Sequence, residues 1–221
     1  MTKTAVLFDL DGVIINTEGQ YTEFWTEIGK TYLPENPDFS SQIKGHTLTQ
    51  ILSAYFADET IARQVVAQLN EFETRMNYPY VEGAIDFVRE LRKAGIPTAI
   101  VTSSNKAKME CLYQQHPEFS QLFDRIFTAE NARRSKPAPD CYLDAAQALG
   151  LAAKDCYVFE DSISGLTAGH DSGATVIGLT TTNSAMRIAS LCQCVINDFT
   201  EITVAQMCEL KKIKRNVRIF S

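Results

Sequence analysis

The chain has 221 residues, 45% of them hydrophobic, and a formal charge of -6 from 21 basic and 27 acidic side chains. That length suits one large domain, or a domain carrying an insert, with a core that needs no disulfide or structural metal. The acidic balance argues against a nucleic-acid partner, which demands a basic surface, and no run approaches the ~18 apolar residues of a membrane span.

Met1 to Lys3 lead directly into Ala5–Phe8, a short apolar run that predicts a buried strand, followed by the loop Asp9-Leu10-Asp11-Gly12. No apolar signal core precedes it, which places the protein in the cytoplasm. From about Glu18 to Tyr78 the apolar spacing is helical: Phe24, Trp25 and Ile28, then Ile51, Leu52 and Tyr55, then Ile61, Val65 and Leu69. A crossover between parallel strands needs only about a dozen residues, so the excess predicts a separate helical insert. Helices over Ala84–Ala94, Asp140–Leu149 and Ser162–Ser172 each stop at a glycine. They alternate with strand-like runs at Pro97–Val101, Arg125–Thr128, Tyr157–Phe159, Ala174–Leu179 and Cys194–Ile196. The alternation predicts an α/β fold, a doubly wound parallel sheet with a Rossmann-like core. The core covers residues 1–16 and 80–221, and the all-helical domain residues 17–79.

The six cysteines form no C-x-x-C pair, and the Cys192-Gln193-Cys194 spacing fits no common zinc pattern. Cys156 lies in an apolar run, as a buried reduced thiol would, which again suits a reducing compartment. The basic run Lys211, Lys212, Lys214, Arg215 and Arg218 reads as a solvated tail or the face of a last helix. No long apolar seam marks an oligomer interface, and a monomer suits the sequence.

Parallel sheets bind ligands at the C-terminal edge of their strands. Here those edges carry Asp9 and Asp11, Thr102 and Ser103, and Glu160 and Asp161, with Lys136 in the loop before the Asp140 helix. Asp9 and Asp11, two apart, face one way in an extended segment. Four clustered carboxylates repel unless a cation sits among them, and a hard dication such as Mg2+ with oxygen ligands answers that need beside phosphate. An aspartate can also attack phosphorus and form an acyl phosphate. Each approach of like unit charges to 5 Å costs ~3 kcal/mol at an effective dielectric of 20, which a metal and a lysine at the site would offset. Thr102, Ser103 and Ser104 precede a helix starting near Lys106, where hydroxyls and free N–H groups suit phosphate oxygens. Each element also has a plainer reading: turn capping for Asp-x-Asp-Gly, N-capping for the hydroxyls, an exposed lysine for Lys136.

Four segments in order resemble the haloacid dehalogenase superfamily of phosphatases and mutases: Phe8-Asp9-Leu10-Asp11-Gly12-Val13, Val101-Thr102-Ser103-Ser104, Ser135-Lys136-Pro137-Ala138-Pro139-Asp140, and Phe159-Glu160-Asp161-Ser162-Ile163-Ser164-Gly165. The resemblance implies Asp9 as nucleophile and Mg2+ ligand, and Asp11 as general acid/base with its backbone carbonyl on the metal. It implies Ser103, with the backbone around Ser104, as the phosphate-binding hydroxyl (Thr102 if the register shifts by one), Lys136 as the neutralising lysine, and Glu160 and Asp161 as the acidic pair at the metal. The insert matches the small cap domain of the family. Within it the chain is most similar to the β-phosphoglucomutase-like group. It departs from the mutase pattern at Tyr21, where the mutase has histidine, and at Leu48, where the mutase has an arginine that grips a distal phosphate. Lys44 and Gly45 fit the pattern, and Tyr21, Lys44 and His46 are expected to face the substrate from the cap.

The implied activity is Mg2+-dependent hydrolysis of a small phosphorylated, sugar phosphate-like metabolite through an aspartyl phosphate. Phosphomutase action on a hexose 1-phosphate and non-catalytic binding of a phosphate ligand are the alternatives. Dehalogenation is disfavoured, because Asp11, Glu160 and Asp161 make a metal-and-phosphate site.

Overall fold

The computed structural model describes residues 4–44, 46–211 and 218–219. Seven parallel strands form one sheet in the order β3-β2-β1-β4-β5-β6-β7. They are β1 (Ala5–Phe8), β2 (Thr98–Val101), β3 (Arg125–Phe127), β4 (Cys156–Glu160), β5 (Thr175–Leu179), β6 (Cys194–Ile196) and β7 (Arg218–Ile219). The first six match the expected runs to within two residues at each end. β7 is an addition: two residues carry no readable periodicity.

All four residues of β1 are fully buried, because the strand is central and covered on both faces. Alternation divides it between two cores. Val6 and Phe8 join one, with Tyr157 and Phe159 of β4; Ala5 and Leu7 join the other, with Cys156 and Val158. Rings of Phe8, Phe159 and Phe199 stack at 5.1–5.2 Å along the first core. Helices α5 (Ala84–Lys93), α6 (Lys106–Gln115), α7 (Phe119–Leu122) and α11 (Val204–Leu210) cover that face. Helices α8 (Asp140–Ala148), α9 (Ile163–Asp171) and α10 (Ala185–Ile188) cover the other.

Helices α1 (Glu18–Tyr32), α2 (Phe39–Gln42), α3 (Leu48–Tyr55) and α4 (Glu59–Arg75) lie between β1 and α5 in the chain. They bury a cluster of their own: Trp25, Ile28, Phe39, Ile43, Ile51, Phe56, Val65 and Leu69. Two linkers run side by side at their base, where Ile15 bridges Tyr80 antiparallel and Asn16 N–H donates to Pro79 O at 2.7 Å. Gln20 donates to Asn77 O at 2.8 Å and accepts from Asn77 N–H at 2.9 Å.

The sheet order reverses at β1. The chain proceeds outward to β2 and β3, then returns to place β4 on the other side of β1. That reversal opens a crevice beyond the C-terminal ends of β1 and β4, where Asp9 and Glu160 fall.

The cysteines Cys156, Cys192 and Cys194 are buried thiols outside any disulfide. Lys212, Lys214 and Arg215 of the basic run, Met1–Lys3, and Gly45 lie outside the described residues. Lys211, exposed at the C-cap of α11, fits the last-helix reading; its ammonium donates to Thr4 Oγ1 at 3.1 Å and lies 4.3 Å over the Tyr157 ring. Its methylene stem reaches the strand edge while its charge finds acceptors.

Candidate active site

A cavity of about 430 Å³ lies between the sheet edge and helices α1–α4. Every residue expected at the site lines it except Glu160, which lies beneath its floor, fully buried.

Asp9 leaves β1 with its N–H donating to Phe159 O at 3.0 Å, a last rung of the β1–β4 ladder. Its carboxylate accepts from Lys136 Nζ at 2.6 Å. Lys136 is only 5% exposed, against the reading of a surface lysine. Its three protons go to Asp9 Oδ1, Glu160 Oε1 (2.7 Å) and Val101 O (3.0 Å). Burial would favour the neutral amine, but the carboxylates of Asp9 and Glu160 hold the Lys136 pKa well above the ordinary lysine value.

Glu160 ends β4 and is held by five donors. Lys136 and the Tyr142 hydroxyl (2.9 Å) reach Oε1; the Asp161 and Ser162 N–H groups and the Ser162 hydroxyl reach Oε2, each at 3.1 Å. Gly165 lets α9 pass directly over it: a Cβ there would fall 1.7 Å from Oε1. Asp161 accepts from Thr182 Oγ1, and its backbone carbonyl accepts from Asn183 Nδ2 at 3.0 Å. The turn at Gly12, with φ +72°, brings the backbone against Asp161, where a Cβ would lie 1.9 Å from Oδ2.

Asp9, Glu160 and Asp161 offer oxygens within 4.8 Å of one another, all buried. Lys136 is the one ammonium bonded to this group among the described residues, and it touches only two of the three. The shortage of positive charge shifts the carboxyl pKa values upward. Burial first, then the Glu160 and Asp11 charges, push Asp9 up to about 7 against the pull of Lys136. Asp161 is raised well above the carboxylate range by burial and by Glu160 and Asp9. A dication would relieve both, so the donor set fits a hard metal ion bound by carboxylate oxygens. Asp9 and Asp161 have the less occupied oxygens; Glu160 is committed largely to protein donors.

Asp11 sits in a different field. Burial alone would raise it, but the ammonium of Lys108 and hydrogen bonds from Lys108, Thr17 and Ser104 hold it below the ordinary value. Lys108 Nζ and Thr17 Oγ1 reach Oδ1 at 2.5 and 2.6 Å, and Ser104 Oγ reaches Oδ2 at 2.8 Å.

The hydroxyl loop after β2 divides its labour. Thr102 is buried and its Oγ1 accepts from Ser104 N–H at 3.0 Å; Ser103 is exposed to the cavity. The N-cap of α6 is Asn105, which accepts from Lys108 N–H at 2.9 Å, so Ser104 is released from capping to bind Asp11.

Lys44 and His46 line the cavity from α2–α3, and Tyr21 from α1. The Tyr21 hydroxyl donates to Glu73 Oε1 at 2.7 Å. Sequence reading passed over Thr17, Glu73, Lys108, Thr181, Thr182 and Asn183. Lys108 had one available signal, its place in the first turn of the helix that follows the hydroxyl loop.

A family description, haloacid dehalogenase-like hydrolase, matches residues 3–173. Hexitol phosphatase A of Escherichia coli is 30% identical over 90% of this chain and 93% of its own. A β-phosphoglucomutase of Mycobacterium bovis is 25% identical over 90% of each chain. The crystal structure of a HAD hydrolase, family IA, variant 3, from Entamoeba histolytica superposes with a TM-score of 0.82 at 30% identity, covering 95% of this chain and all of that one. The chain belongs to the haloacid dehalogenase-like hydrolases, enzymes among which it stands with phosphatases and β-phosphoglucomutases.

Proposed function

We propose that this enzyme is a Mg2+-dependent phosphatase that hydrolyses a small phosphorylated, sugar phosphate-like metabolite through an aspartyl phosphate on Asp9. The observation that carries the reading is the buried group of Asp9, Glu160 and Asp161 around the ammonium of Lys136.

Asp9, Asp161 and the Asp11 carbonyl would hold Mg2+, with Glu160 behind them. Bound there, the ion supplies positive charge that lowers the repulsion between carboxylate and phosphate. Lys136 and the Ser103 hydroxyl hold the phosphoryl group in line with Asp9. The Asp9 oxygen bonds to phosphorus as the ester oxygen leaves, and that oxygen takes a proton from Asp11, whose carboxylate must first be protonated as the phosphate dianion enters beside it. Water then attacks phosphorus, the bond to Asp9 breaks, and Asp11 takes the proton from water. Residues 17–79 act as a cap that excludes bulk water and selects the leaving group. Tyr21, Lys44 and His46 contact that group.

Among the described residues no arginine lines the cavity, and Leu48 lies on its wall. A doubly phosphorylated intermediate therefore lacks a bidentate grip on its distal phosphate, which favours phosphate release over mutase turnover. The name of the E. coli relative supports a phosphorylated polyol; the mutase relative supports the alternative. Among the described residues no helix is long and apolar enough to cross a membrane, and we place the enzyme in the cytoplasm.

The test is hydrolysis of p-nitrophenyl phosphate with and without Mg2+, in wild type and Asp9→Asn. Activity indifferent to chelator or to the substitution would remove the mechanism. Supplying glucose 1-phosphate separates the two activities: free phosphate marks the phosphatase, glucose 6-phosphate the mutase.

A further inference from the structure

Lys108 and Lys136 are the buried lysines among the described residues, and the chemistry above employs only Lys136. A buried ammonium is costly unless its surroundings bind it, so the partners of Lys108 indicate what it is kept for. The Asn105 cap fixes its backbone in the first turn of α6. From there the side chain points back toward the helix N-terminus and the sheet edge, where Nζ meets Asp11 Oδ1 at 2.5 Å.

Three elements thus grip one carboxylate: the linker into the cap through Thr17, the loop after β2 through Ser104, and α6 through Lys108. The cap covers the other side of the ammonium. The Tyr21 ring of α1 lies 4.7 Å from Nζ, and its hydroxyl is fixed to Glu73 of α4. A continuous path runs from α4 through Tyr21 and Lys108 to Asp11.

We propose that Lys108 is a positioning residue that aims the Asp11 carboxylate at the water releasing phosphate from Asp9, and that Tyr21 and Glu73 of the cap hold it in that place. This rests on the phosphatase reading. In that step the water oxygen bonds to phosphorus, the electron pair of the breaking P–O bond returns to Asp9, and the water proton passes to Asp11. The preceding step needs no such aim when the leaving group is p-nitrophenolate, which departs without a proton. Damage to Lys108 should therefore fall on one half of the cycle.

The experiment is Lys108→Met in the full chain, with p-nitrophenyl phosphate and saturating Mg2+, followed by steady-state and rapid-mixing kinetics. The expected result is kcat lowered about tenfold or more, kcat/KM within about threefold of wild type, and a p-nitrophenolate burst approaching one per enzyme. An unchanged kcat, or kcat and kcat/KM falling together, would overturn the proposal. Should Lys108→Met not fold, Lys108→Arg keeps the charge and displaces its donors; the same split at smaller size is expected, and an unchanged or uniform response refutes it. A wild type inert toward p-nitrophenyl phosphate with Mg2+ would sink the phosphatase reading itself, a result distinct from either outcome in the variants.

Discussion

Replacing Asp9 by asparagine should abolish turnover and yet stabilise the metal-free protein, increasingly so as pH rises. An aspartate that titrates at 3.8 when unfolded keeps its proton to about 7 here, chiefly because it is buried and faces Glu160. Between those two values the native state binds more protons than the unfolded chain, so stability falls as pH rises through that window. The fall is on the order of 4 kcal/mol, from ~1.4 kcal/mol per pH unit, and it levels off above pH 7. The asparagine side chain of the variant has no proton to lose, while Lys136 keeps Glu160 and Val101 O. Thermal melts by circular dichroism in EDTA, at pH 4.5 and pH 7.5, read the difference between the two proteins. At roughly 2–4 °C per kcal/mol for a chain of this size, the gap in Tm should widen by several degrees in favour of the variant. A gap independent of pH, or one that widens in favour of wild type, would refute the reasoning.

Mg2+ should raise the wild-type Tm more at pH 7.5 than at pH 5, since a cation competes with protons for Asp9 and Asp161; calorimetry at both values checks it. Lys136→Met leaves Asp9 and Glu160 without their ammonium, and should cost about 3–5 kcal/mol in a denaturant titration at neutral pH, with activity down roughly a hundredfold or more. Gly165→Ala drives a methyl group into Glu160 and should destabilise by about 1–3 kcal/mol, with activity lost as Lys136 shifts. Gly19→Ala, also on a helix but with nothing within 4 Å, should instead stabilise by about 0.5–1 kcal/mol.

The strands were legible because central parallel strands are uniformly apolar: Ala5–Phe8 and Cys156–Glu160 are buried throughout. So was the acidic part of the site, since Asp9 and Glu160 stand at the C-terminal ends of readable strands of one parallel sheet. Lys108 escaped because its meaning lies in a contact 97 residues away; from sequence it is one lysine on a polar helix turn. Thr181 and Thr182 escaped for the same reason, being ordinary loop hydroxyls until the fold carries them to Gly12 O and Asp161. N-capping, the plainer reading of the three hydroxyls, falls instead to Asn105, which leaves Ser104 to Asp11. In each case residue type was readable and partner was not, because partner is a property of the tertiary contact.

Hydrolysis by the proposed route requires that Asp9 become covalently phosphorylated. The most direct measurement is mass spectrometry of Asp11→Asn, mixed with p-nitrophenyl phosphate and Mg2+ and quenched in acid. With the water-activating carboxylate gone, the phosphoryl group should accumulate on the peptide bearing Asp9. An active wild type whose Asp11→Asn variant carries no phosphoryl group, or carries it on another residue, would contradict the account.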